Sequence, residues 1–241
     1  MSKPAYKRAR HNAVGKLLAS LNADFLGEAK CFFGGGTRIV LELNEYRESA
    51  DVDFLCSDRA GYRALRAAIK PDSLGELACA PLQLLREIRA DQYGLRTIIQ
   101  IDQEPIKLEF INEARIDLAA TFIKPIPVPC LNRATCFAEK ILANDDRGMD
   151  ESVASRDVID ITFMIEAWSM AAFVQGLQIA RGAYGEGVDG ALVKAAQKLL
   201  DQKNYFKKCL TALAINEGTT LKSGLARIVA QDWRASGDTK A

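Results

Sequence analysis

Apolar positions along the first half of the chain recur with two different periods, and their alternation predicts helices interleaved with strands. Val14, Leu17, Leu18, Leu21 and Phe25 fall at helical spacing across residues 11–26. Lys30 to Phe33 then forms a short apolar strand that runs into Gly34, Gly35 and Gly36. Ile39, Val40 and Leu43 predict a helix from Thr37 to about Asn44, Asp51 to Cys56 reads as a strand, and a further helical pattern covers Tyr62 to Ile69. Residues 85–93, 95–102 and 106–111 read as extended, with turn signals at Tyr93-Gly94 and Gln103-Glu104-Pro105, which predicts an antiparallel meander. The prolines of Lys124 to Pro129 fix φ and remove backbone donors, so a stiff connector and a domain boundary are expected there. Beyond it the pattern is helical, over about 132–144, 153–167, 169–182, 190–202, 204–215 and 221–234. The expected fold class is α+β: a head over residues 1–124, with a mixed or antiparallel sheet flanked by helices, and an α-helical C-terminal domain over 130–241.

The candidate chemistry is concentrated between Phe33 and Leu55. In a strand, Asp51 and Asp53 point to one face while Val52 and Phe54 face the core. Two carboxylates at about 5 Å repel by about 3 kcal/mol at an effective dielectric of about 20. Such a pair shares a proton or holds a cation. Mg²⁺ suits it best, because it combines a few carboxylates with substrate phosphates rather than demanding a closed protein cage. Gly35 and Gly36 let backbone N–H groups approach phosphate oxygens at a helix start, and Thr37 adds a hydroxyl donor. Arg47 and Ser49 lie just ahead of the aspartates, within reach of the β- and γ-phosphates of an NTP; the competing role for Arg47 is an ion pair with Glu45 or Glu48. Glu109 alternates with Leu108 and Phe110, so it shares a polar strand face with Lys107 and offers a third carboxylate. Three acids around two metals suit in-line phosphoryl or nucleotidyl transfer. The competing role for Glu109 is a solvated strand carboxylate.

Composition narrows the chemistry. A net charge of +1 excludes wholesale electrostatic capture of nucleic acid while leaving local patches open. The single histidine, His11, makes histidine-rich zinc sites and Ser-His-Asp triads improbable, so catalysis is expected to run on carboxylates and cations. Six cysteines without a C-x-x-C pair read as buried, reduced thiols, which points to the cytoplasm. No export signal or membrane span is expected.

The string from Gly34 to Phe54, with GG-T, a helix and R-x-S-x-D-x-D-F, resembles the opening motif of the nucleotidyltransferase superfamily with the DNA polymerase β-like fold, in the form seen in the AbiEii/AbiGii abortive-infection toxins. The resemblance implies transfer of a nucleoside monophosphate from an NTP to an acceptor, with Mg²⁺ held by Asp51 and Asp53 and a third acid from a later strand, best matched by Glu109. Phe137 to Arg147, followed by Ser155 to Asp160, is similar to the family's helical motif. There Lys140 would neutralise triphosphate charge and Asp157 would position a base or the acceptor. Asp160, at i+3, shares the helix face of Asp157. The competing role is an ion-pair network of Arg156, Asp157 and Asp160 that pins two helices together. The likeness covers roughly residues 30–165. The familiar Gly-Ser is here Gly-Gly or Gly-Gly-Thr.

Farther on, Lys194 with Lys198 and Lys203 with Lys207 fall at helical spacing near Lys208, Tyr205 and Phe206, a candidate footprint for RNA phosphates or an ordinary solvated face. The basic leader, with Lys3, Lys7, Arg8, Arg10 and Lys16, reads as a second such footprint or as a disordered start. The leading expectation is an Mg²⁺-dependent enzyme acting on an RNA 3′ end such as tRNA, or on a protein hydroxyl, with a cognate antitoxin as partner and no membrane. The alternatives are a small-molecule nucleotidyltransferase and a non-catalytic nucleotide-binding module of the same fold.

Overall fold

The computed structural model of the protein describes residues 6–234. It forms two compact units: residues up to Glu45 together with Ser49–Asn132, and Tyr46–Glu48 together with residues from Arg133 onward.

In the first unit, α1 (Ala9–Ala19) and α2 (Ala23–Glu28) lead into β1 (Cys31–Gly34), α3 (Gly35–Glu42), β2 (Val52–Cys56) and α4 (Arg59–Ala68). The meander follows as β3 (Gln83–Ala90), β4 (Gly94–Ile101) and β5 (Glu104–Asn112), and two short strands, β6 (Ala120–Thr121) and β7 (Cys130–Leu131), complete the sheet. The strand order is β3-β4-β5-β2-β1-β7-β6, with β2 parallel to β5, β1 parallel to β7 and the other pairs antiparallel. The helical pattern over 11–26 is divided in two because the Asn22 side chain accepts the Phe25 N–H, a cap that begins a new helix. Past the prolines, Cys130 still pairs with Phe33, so the first unit continues to Asn132.

Register follows from one aromatic row. Phe33, Phe54 and Phe110 sit opposite one another on β1, β2 and β5, all fully or nearly fully buried, with ring centroids 5.6 and 5.3 Å apart. A one-residue slip on any of these strands would turn a phenylalanine to the other face, so the row fixes pairing. The leader is tied down from Tyr6 onward: the buried Glu45 carboxylate accepts the N–H groups of Lys7 and Arg8 at the start of α1. Lys3 lies outside the described residues.

The second unit contains α5 (Arg133–Arg147), α6 (Arg156–Ala167), α7 (Met170–Tyr184), α8 (Gly187–Asp201), α9 (Lys203–Ala212) and α10 (Gly218–Ala230). α5 packs closely on α7 at Gly176, where a Cβ would lie 2.4 Å from that of Phe137. The apolar filling includes Phe137, Phe173, Trp168 and Trp233, which meet edge to face. All six cysteines are free thiols, but Cys79 is exposed rather than buried. It follows a short 3₁₀ turn in the loop ahead of β3, outside the sheet and helices that bury the other five. Among the described residues, no helix is long and apolar enough to cross a membrane.

Candidate active site

One residue beyond the aromatic row, the same pairing sets Gly34 opposite Asp53 and Asp53 opposite Glu109. Side chains alternate across a strand, so burying Phe54 and Phe110 on one face presents Asp53 and Glu109 side by side on the other. Asp53 is half-buried and Asp51, immediately before β2, is exposed.

Gly35 is the other half of this junction. It begins α3 with φ of +66°, in the left-handed region, and a Cβ there would lie 2.3 Å from Asp53 Oδ2. Only glycine permits both the backbone conformation and the approach. A helix start without a side-chain cap and a carboxylate therefore meet within contact distance. Thr37, in the first turn of α3, is buried, and its hydroxyl is hydrogen-bonded to that of Ser49 at 2.8 Å. The Ser49 N–H donates to His11 Nε2 at 3.3 Å, and His11 Nδ1 lies 3.6 Å from a Glu45 oxygen. His11 is fully buried and supports the motif from behind, a role that its place in a basic leader did not suggest. Its signal in the sequence is that it shares a helix face with Val14 and Leu18, at i+3 and i+7.

Glu109 is paired twice, to Arg96 Nε at 3.0 Å and to Lys107 Nζ at 2.5 Å. Among the described residues, no group of three His, Cys, Asp or Glu side chains is arranged to hold a metal ion. The sheet thus brings Asp53, Glu109 and Gly35 together, with Thr37 in the turn that follows and Asp51 exposed just ahead of β2.

Other predicted site residues belong to a separate cluster in the second unit. Arg47 is buried and forms a two-pronged pair with Asp160, Nε to Oδ1 at 2.6 Å and Nη2 to Oδ2 at 2.8 Å. The Tyr46 hydroxyl donates to Asp160 Oδ1 at 2.5 Å, and its ring stacks on Phe163 at 4.1 Å. Lys140 Nζ lies 2.9 Å from Asp157 Oδ1 and 2.6 Å from Asp160 Oδ2, while Arg147 Nε reaches Asp157 Oδ2 at 2.8 Å. Arg47 and Lys140, expected to face phosphates, are thus engaged in buried ion pairs, and the partner of Arg47 is neither Glu45 nor Glu48. Arg147, not Arg156, supplies the cation beside Asp157.

Charges so deeply placed persist only with partners. Burial pushes the Asp157 carboxyl up, but Lys140 and Arg147 outweigh it and hold the group well below the usual range. Asp160 is lowered in the same way against its own burial, by Arg47 and Lys140. Burial disfavours the Lys140 ammonium, yet Asp157 and Asp160 raise its pKa. The result is a buried cluster in which three cations share two carboxylates.

The fold is that of nucleotidyltransferases. A structure of JHP933 from Helicobacter pylori superposes with a TM-score of 0.57 at 15% identity, covering 98% of this chain and 97% of that one. The structure of a nucleotidyltransferase candidate from H. pylori gives 0.55 at 14% identity, covering 98% and 99%. The family profile described as "Nucleotidyl transferase AbiEii toxin, Type IV TA system" matches residues 16–234, and the chain belongs to that family of enzymes. No curated protein sequence matches it.

Proposed function

We propose that this protein transfers a nucleoside monophosphate from an NTP to an acceptor, either the 3′ end of an RNA such as tRNA or a protein hydroxyl, as the toxin of a pair with a cognate antitoxin. The observation that carries the reading is the contact between Gly35 and Asp53, where a Cβ would stand 2.3 Å from the carboxylate. A site that places a helix start against a carboxylate offers N–H groups to triphosphate oxygens and an acidic oxygen to the counter-cation of the same triphosphate.

The donor set fits Mg²⁺. Asp51 and Asp53 are hard oxygen donors, and Mg²⁺ needs only one or two carboxylates when water and phosphate oxygens fill the rest of its shell. Held by these carboxylates, the ion would neutralise triphosphate charge, activate the attacking oxygen and stabilise the departing pyrophosphate. The protein's own groups do the remainder. Asp51 and Asp53 would hold the cation, and the start of α3 with Thr37 orients the triphosphate oxygens. Glu109 joins them as a third carboxylate by exchanging its partners Arg96 and Lys107. The cluster of Arg47, Lys140, Asp157 and Asp160 acts by holding α5, α6 and the Tyr46–Glu48 segment together, since its charges already satisfy one another.

Incubating the protein with α-labelled NTPs, Mg²⁺ and total RNA tests this reading. Label is expected on RNA or protein, with a loss of at least about a hundredfold in Asp53→Ala. The absence of label on any acceptor, with wild type and Asp53→Ala indistinguishable, would refute it.

A further inference from the structure

The second unit contains a cavity of about 560 Å³ bordered by α8, α9 and the start of α10. Leu199, Leu200, Phe206 and Leu210 supply apolar walls. Lys203, Lys207 and Lys222 are exposed on its border, and no acidic residue lines it. The Lys222 ammonium lies 5.4 Å from the Phe206 ring centroid. The opening turn of α10 lines the cavity through Gly218 and Thr219, and no side chain caps that helix. An apolar pocket bordered by three lysines and a helix start is complementary to a group that is flat and apolar at one end and anionic at the other.

A second depression of about 690 Å³ lies on the other flank of α9 and shares Lys203. It contains Glu151 and Asp201 as well as Lys203 and Lys208, so it has no excess of cations and no comparable preference for an anion. Of the lysines noted in the sequence, Lys198 also drops out. Its side chain is half-buried, paired with Glu151 at 3.2 Å and placed over the Tyr205 ring. Lys194 is exposed but lines neither depression.

We propose that the cavity between α8, α9 and α10 docks one nucleotide of an acceptor RNA strand, with the base against the apolar walls and the flanking phosphates on Lys203, Lys207 and Lys222. A strand fits better than a free nucleotide, because Lys203 and Lys207 are one helical turn apart along α9 and can engage successive phosphates. The proposal rests on the reading of this protein as a transferase with an RNA acceptor, but binding is measured without turnover, so the two can fail separately.

The test is fluorescence anisotropy of the full chain with a 5′-fluorescein single-stranded 12-mer RNA across a salt series. The triple variant Lys203→Gln, Lys207→Gln, Lys222→Gln is expected to bind at least about tenfold more weakly, with its log–log salt slope reduced by about 2. Replacing the same lysines with arginine should restore binding, Lys194→Gln should stay within about twofold of wild type, and Asp53→Ala should bind RNA normally. Unchanged affinity in the triple glutamine variant would overturn the proposal. So would an equal loss in Lys194→Gln, or equally tight binding of a polyglutamate peptide of the same length, since either would mean diffuse charge attraction.

Discussion

Two pairs of aspartates, Asp51/Asp53 in the sheet unit and Asp157/Asp160 in the helical unit, show what surroundings do to the same functional group. In sequence both pairs are spaced to share a face, by a strand's period of two in one case and by i, i+3 on a helix in the other, although β2 begins only at Val52 and leaves Asp51 just ahead of it. Asp157 and Asp160 are buried among Lys140, Arg147 and Arg47, which neutralise them at distances of 2.6 to 2.9 Å. Asp51 is exposed and Asp53 half-buried beside a helix start. Chemistry on an incoming ligand needs the second arrangement, whereas the first is suited to holding helices in place. On the proposed function, identical side chains thus divide into a reactive pair and a fastening pair, the latter set apart by its burial and its close cations.

The division can be broken most severely at the fastening pair. Asp160→Ala leaves Arg47 without its buried carboxylate and Lys140 with Asp157 alone, and is expected to cost about 3–5 kcal/mol, read from urea unfolding. If the cost were under about 1 kcal/mol, the cluster would not be a fastening. In the sheet unit, Phe54→Ala removes the middle ring of the register-setting row and should cost a similar 3–5 kcal/mol. Gly35→Ala is a smaller insult to stability, about 1–2 kcal/mol from its left-handed backbone, but it pushes a methyl group into Asp53 and should abolish transfer. Retained activity would mean that the contact is incidental.

Acid sharpens the comparison further. Asp157 and Asp160 have folded-state pKa values below their unfolded ones, so their stabilisation is complete above the unfolded value of about 4 and is lost as pH falls through the depressed folded values. Unfolding free energy should be nearly flat from about pH 5 upward with respect to these groups and decline below about pH 4, with a shallower decline in Asp160→Asn. The smallest effect is expected from Lys107→Ala. Its pair with Glu109 has an exposed cation, and losing it should change stability by less than about 1 kcal/mol in the same unfolding measurement.

Much of this fold was legible because its periods are clean. The alternation of Ile106, Leu108 and Phe110 against Lys107 and Glu109 foretold which face of β5 is polar, and the helices of the second unit fall close to the segments read from their apolar spacing. The Gly35 and Asp53 juxtaposition was legible as motif chemistry. What escaped is long-range. Nothing local to Tyr46 and Arg47 announces a pairing with Asp160, 113 residues away from Arg47. A free phosphate-binding arginine and a buried ion-paired one look identical until burial is known. His11 escaped for the same reason, since a basic neighbourhood in sequence became a buried position in space. The split of the first helical pattern was missed because the Asn22 cap lies inside otherwise continuous periodicity.

The central claim is that Asp53, against Gly35, grips the cation that accompanies a triphosphate. Mn²⁺ titration followed by electron paramagnetic resonance, in the presence of a non-hydrolysable NTP, tests it most directly. Asp53→Asn should weaken Mn²⁺ binding by at least about tenfold, while Asp157→Asn should leave the ion's affinity within about twofold in protein shown to be folded. Equal Mn²⁺ affinity in wild type and Asp53→Asn would contradict the assignment.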